Sequence, residues 1–211
     1  MKKIFLVFTL ILFISCEMKN QLVTKSPDSS VELTFKVYDG SPFYSIKKNN
    51  KIIVDESLLG LMLKNNLDFT NDLKIKSISS SSNSSKWSPA FGEEKNILNE
   101  YNQMKVLLSK DSLEMSLLFK IFNEGVAFKY EVPNQKKIIS YDIIDEKTEF
   151  NLSSDDKAWW IPAFSYRRYE FLHAFSSVDS ISKKYFSENV EDISYDSLGI
   201  DAAHTPFTLK K

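Results

Sequence analysis

A chain of 211 residues with 43% hydrophobic and 13% aromatic residues carries enough apolar material for a substantial core, which excludes global disorder. Its 27 basic and 28 acidic residues leave a formal net charge of −1, so there is no electrostatic footprint for nucleic acid. Apart from Arg167 and Arg168 the basic residues are lysines scattered among acids, the pattern of a solvated surface rather than of a charge-driven interface.

Met1-Lys2-Lys3 is a short positive segment, and Ile4 to Ile14 is an almost unbroken apolar run. That run falls well below the roughly 20 residues needed to cross a bilayer, so residues 1–15 read as a signal peptide. Phe13-Ile14-Ser15-Cys16 resembles a bacterial lipoprotein processing box, with cleavage before Cys16 and a diacylglycerol on its sulfur. Cys16 is the sole cysteine, so a disulfide has no second partner within the chain. The expected location is the periplasm or cell surface, anchored to the membrane by lipid. The alternative is an ordinary secretory peptide whose cysteine is incidental. Residues 16–30 are polar and weakly patterned and are expected to form a tether.

The folded domain is expected over residues 31–211. Val31, Leu33, Phe35 and Val37 alternate with Glu32, Thr34 and Lys36, the period of a half-buried strand. Gly40-Ser41-Pro42 breaks it, and Asn49-Asn50 is a two-residue turn between strands at Phe43 to Lys48 and Lys51 to Asp55. Leu59, Leu61 and Leu63 alternate again, followed by Leu73 and Ile75. Ser79 to Ser85 is serine-rich and reads as an exposed loop. The strongest β signal spans Met104 to Leu108, Leu113 to Ile121 and Val126 to Val132, with a turn at Asn123-Glu124-Gly125 in which Gly125 suits the left-handed conformation. Short runs follow at Ile138 to Ile144 and Phe150 to Leu152. Ser176 to Tyr185 fits either a helical turn or a long loop. Many short strands separated by turns predict an all-β sandwich or barrel.

Catalytic signatures are sparse. The chain has five glycines and no phosphate-binding loop; His173 and His204 have no metal-ligand spacing, and no serine sits in a nucleophile elbow. Glu93-Glu94 and Asp155-Asp156 are adjacent pairs, and neighbours on a strand diverge, so neither is a natural acid/base couple. No catalytic and no metal-ligating residue is assigned. The richer feature is aromatic: Trp159-Trp160 is followed by Phe164, Tyr166, Arg167, Arg168, Tyr169 and Phe171. Flat aromatic faces beside polar groups suit a sugar ring, and Trp159, Trp160, Arg168 and Tyr169 are the candidate contacts. Because adjacent strand residues point apart, at most one of the two tryptophans faces a given ligand.

Several segments, taken in order, carry a resemblance. They are Ser26-Pro27-Asp28, Trp87-Ser88-Pro89-Ala90-Phe91-Gly92-Glu93 with Ile97 to Asn102, Gly125 to Tyr130, Thr148-Glu149-Phe150 before the tryptophan pair, and Ala203-His204-Thr205-Pro206. Together they resemble the N-terminal domain of glycoside hydrolase family 97, bacterial α-glucosidases and α-galactosidases. The resemblance implies a β-supersandwich similar to the galactose-mutarotase-like fold, set against a (β/α)₈ barrel that carries catalytic glutamates and, in the intact family, a calcium ion. It gives no cofactor to this chain, which is expected to stop inside the sandwich and before any barrel. The implied function is a carbohydrate-binding domain, non-catalytic alone, meeting an α-linked glycan weakly and accompanied by a separately encoded barrel. The alternative is a structural surface lipoprotein, or the decayed fragment of a glycosidase gene, with no ligand.

Overall fold

The structure, a computed structural model, describes residues 21–64, 67–136, 138, 140–163, 170–191 and 201–211. Two four-stranded antiparallel sheets form the main body. The first runs β1 (Gln21–Lys25), β2 (Val31–Tyr38), β3 (Ser41–Lys48) and β4 (Lys51–Leu58) in spatial order. The second contains β7 (Lys74–Trp87), β8 (Ile97–Lys110), β9 (Leu113–Ile121) and β10 (Val126–Glu131), ordered β10-β9-β8-β7. Between these in the chain lie β5 (Leu61–Leu63) and β6 (Leu67–Asp68), which join β11 (Ile143–Glu146) in a small third sheet.

Alternation decides which side chains meet. Val31, Leu33 and Phe35 of β2 face Leu117, Phe119 and Ile121 of β9 and Met104, Val106 and Leu108 of β8 in one buried cluster. The Phe35 and Phe119 rings lie 5.7 Å apart and those of Tyr44 and Phe128 5.4 Å, so aromatic contacts stitch the two sheets face to face. This is the all-β, sandwich-like fold that the periodicity predicts.

The turns show where the prediction is sound and where it fails. Asn49 and Asn50 both take positive φ (50° and 63°), as the β3–β4 hairpin requires. The preceding break falls at Asp39-Gly40 rather than Gly40-Ser41-Pro42, and β3 already begins at Ser41. Gly40 is obligatory there: φ is +75°, and a Cβ would lie 2.6 Å from the Asp72 backbone nitrogen. Gly125, in contrast, does not adopt the left-handed conformation. The β9–β10 turn closes instead with the Phe122 amide donating to the Gly125 carbonyl at 2.8 Å.

Two polar stretches are strands rather than loops. Ser79 to Ser85 lies inside β7, paired residue for residue with Lys105 to Asn99 of β8. Serine on both faces hides the period of two, while the partner strand supplies the ladder. Gln21–Lys25, inside the expected tether, pairs with β2 as an edge strand whose alternate residues are exposed. The stretch Ser176 to Tyr185 resolves into a 3₁₀ turn at Val178–Ser180 and the start of helix α1 (Lys183–Asn189).

A second, smaller cluster is built by β12 (Lys157–Trp160), β13 (Ala174–Ser177) and β14 (Thr208–Lys210), ordered β13-β12-β14, with α1 packed beneath.

Candidate carbohydrate-contacting face

The outward surface of this small sheet is fixed by register. Trp159 pairs with Phe175 on one side and Thr208 on the other, while Lys157 pairs with Ser177 and Lys210. Because side chains alternate, these six residues share one face in two rows: Phe175-Trp159-Thr208 and Ser177-Lys157-Lys210. Trp159 is 40% exposed and Phe175 47%, and their rings stack with centroids 4.5 Å apart at 36°. Phe175 therefore covers the Trp159 ring on the β13 side. On the β14 side the cross-strand neighbour of Trp159 is the exposed and much smaller Thr208.

The opposite surface is sealed. Trp160 is 0% exposed, and its indole N–H donates to the Ser176 hydroxyl at 3.0 Å, while that hydroxyl donates to the Ser177 carbonyl at 2.9 Å. Trp160 packs on Phe186 (5.9 Å between ring centroids) and Tyr185 (6.4 Å) of α1. The helix starts at Ser182, whose side chain accepts from the Tyr185 amide at 3.1 Å, and Tyr185 donates its hydroxyl to the Phe175 carbonyl at 2.8 Å. The cap thus orients a tyrosine that ties α1 to the strand carrying one half of the aromatic stack. At the end of β14, Lys211 donates to the Ile52 carbonyl at 2.8 Å and pairs with the buried Asp156 Oδ2 at 3.1 Å, fastening the small sheet to β4 of the sandwich.

Of the candidates named from sequence, Trp159 therefore stands at the surface. Trp160 is a core residue and is closed to any ligand, because β12 turns its even-numbered side chains inward. Arg168, Tyr169 and Cys16 lie outside the described residues. Phe175, Thr208, Lys157 and Lys210 were not legible as partners of Trp159. Nothing in a four-residue run such as Ala174–Ser177 announces which strand it will join.

Among the described residues the remaining acid pairs and histidines lie apart from one another. Glu93 and Glu94 are exposed in the connection between β7 and β8, Asp155 is exposed, and Asp156 is engaged by Lys211. His173 is exposed, and His204 Nδ1 lies 2.7 Å from the Thr205 carbonyl oxygen. Among the described residues no group of three or more His, Cys, Asp or Glu could hold a metal ion. In the sandwich, burial first, then the nearby Tyr130, pushes Tyr44 well above the ordinary tyrosine value. Its hydroxyl donates to the Glu149 carbonyl at 2.8 Å, a structural bond within the core.

The family model described as Glycosyl-hydrolase 97 N-terminal matches residues 24–211. The chain belongs to this family. Solved structures agree. A glycoside hydrolase family 97 enzyme from Pseudoalteromonas sp. strain K8, in complex with panose, is 30% identical, with a TM-score of 0.72 over 76% of this chain and 25% of that one. The same strain's family 97 enzyme in complex with acarbose is 29% identical, with a TM-score of 0.74 over 90% of this chain and 26% of that one. A β-arabinopyranosidase at 24% identity and a TM-score of 0.64, over 68% of this chain and 23% of that one, shares the fold. The family 97 chain described here thus spans about a quarter of the length of these neighbours.

Proposed function

We propose that this family 97 N-terminal domain is a non-catalytic carbohydrate-contacting unit of an α-glycoside-processing system, and that Trp159 is its principal sugar contact. The observation that carries the reading is the part-exposed indole stacked on Phe175, with the small, exposed Thr208 as its cross-strand neighbour on the other side. A pyranose presents an apolar face of C–H bonds that stacks on such a ring, while its hydroxyls reach the Thr208 hydroxyl. The glycans held by the Pseudoalteromonas enzymes support α-linked glucose units as the class to test. An open face of this kind buries little of a ligand compared with a closed pocket, so the affinity is millimolar. The leading segment Met1 to Cys16 supports an exported domain lipid-anchored at Cys16, which puts the face outside the cytoplasm. The test is a panose titration followed by heteronuclear NMR. The Trp159 indole resonance and the amides of β12 and β14 shift in the wild type and stay still in Trp159→Ala. Shifts confined to another surface, or unchanged in that variant, refute the assignment.

A further inference from the structure

Lys157 and Lys210 stand directly opposite each other in the β12–β14 ladder, two residues along from the Trp159-Thr208 pair. Like charges in facing positions of a sheet repel and destabilise it, so the arrangement is one that packing alone does not favour. Both side chains are exposed. The acid that approaches Lys157 is Asp179, whose carboxyl is held below its usual range by hydrogen bonds from Ser177 and Ser180 first, with Lys157 adding a smaller effect. Among the described residues Lys210 has no ion-pair partner, and Lys211 next to it is occupied by Asp156. The face therefore presents an aromatic stack and, two residues or about 7 Å along the backbone, a facing pair of exposed lysines.

A lysine side chain rising from that row is long and flexible enough to meet an anionic substituent on the rim of a pyranose stacked on Trp159. We infer that the Trp159 face selects a saccharide bearing an anionic group, a carboxylate or a phosphate, over the neutral sugar of the same ring. The inference rests on the stacking role proposed above and adds the charge of the ligand to it. The sugar stacks on the indole beside Thr208, and its anion sits between the Lys157 and Lys210 ammonium groups. Two exposed charge contacts strengthen binding about three- to tenfold at low ionic strength, and screening removes the gain near 1 M salt, where the Debye length falls to about 3 Å.

Glucose, glucuronate and glucose 1-phosphate are titrated separately against the intact chain, with Trp159 and β12–β14 resonances as the readout, at low and at high salt. The expected result is an advantage of about three- to tenfold for both anions over glucose, lost in high salt and in the Lys157→Gln/Lys210→Gln variant, while glucose binding by that variant is unchanged. An advantage for one anion alone identifies the carboxylate or the phosphate as the recognised group. Equal binding of all three sugars, or an advantage that survives loss of both lysines, overturns the inference while leaving the stacking role intact. Failure of every sugar to move the Trp159 resonance overturns both.

Discussion

Trp159 and Trp160 are neighbours in sequence with opposite environments, and substituting each in turn separates packing from surface. Trp160→Ala removes a fully buried indole, its bond to Ser176 and its contacts with Phe186 and Tyr185. Emptying a site of that size costs about 3–5 kcal/mol, a large share of the roughly 5–15 kcal/mol that keeps a domain folded. Trp160→Phe retains a ring against Phe186 and loses the N–H donor. Ser176 still donates to the Ser177 carbonyl, so the polar part of the loss stays near 1 kcal/mol. Trp159→Ala gives up one stacked pair, worth about 0.5–1.5 kcal/mol beyond its area burial, and uncovers part of the Phe175 ring, but leaves no cavity enclosed in the core. Urea unfolding followed by far-ultraviolet circular dichroism gives the order wild type, Trp159→Ala, Trp160→Phe, Trp160→Ala, the middle two close together. Peptide-resolved hydrogen exchange adds the location: Trp160→Ala speeds exchange in Lys157–Trp160 and in α1, and leaves β8 and β9 protected. A Trp159→Ala variant as unstable as Trp160→Ala, or a Trp160→Ala variant within 1 kcal/mol of wild type, refutes the inward–outward assignment.

Gly40→Ala loses about 2 kcal/mol or more in the same melts, from a left-handed backbone and a collision with Asp72, whereas Gly125→Ala, with open space and an ordinary φ, is close to neutral. Burial alone would raise the Asp68 carboxyl, but the Thr70 hydroxyl (2.6 Å) and amide (2.8 Å), with Lys110 beyond them, hold it below its ordinary value. Its contribution is therefore present above the unfolded value of about 4 and is lost as pH falls through the lower folded one, so acid titration of stability flattens in Asp68→Asn below about pH 4. Cys16→Ser abolishes fatty-acid labelling and releases the protein from the membrane fraction; labelling that persists in the variant refutes lipidation at Cys16.

The sandwich was legible because its central strands carry their own code. Val31 to Val37 alternates strictly, Met104 to Leu108 and Leu113 to Ile121 do so apart from Leu107 and Leu118, and each run buries one face against another strand that does the same. Legibility fades where the code belongs to the partner. The serines of β7 pair with a patterned β8, and the edge strand β1 needs no apolar face of its own. The candidate site was half legible for a related reason. Trp159-Trp160 announces that one ring is outside and one inside, but the choice depends on which face of β12 meets α1. That is settled by Phe186, 26 residues further on. Gly125 illustrates the opposite error, since a glycine permits a left-handed turn without requiring one.

A weak, open face is consistent with the role proposed for it once attachment is counted. A millimolar site corresponds to about 4 kcal/mol of binding free energy, which one stacked ring and a few exposed hydrogen bonds can supply. Such a site does little for a freely diffusing domain. Held near a second glycan-binding site, it acts at an effective concentration in the millimolar range, where half-occupancy is reached without any further contact. The structural requirement is that the ring be oriented before the sugar arrives, because ordering it on binding would consume the small gain available. Phe175 against one face of Trp159, Tyr185 bonded to the Phe175 carbonyl, and Trp160 locked beneath by Ser176 and Phe186 meet that requirement. On the proposed reading the buried tryptophan serves binding as well as stability. Loosening β12 from below through Trp160→Ala lowers panose affinity, although the substituted side chain never touches the sugar.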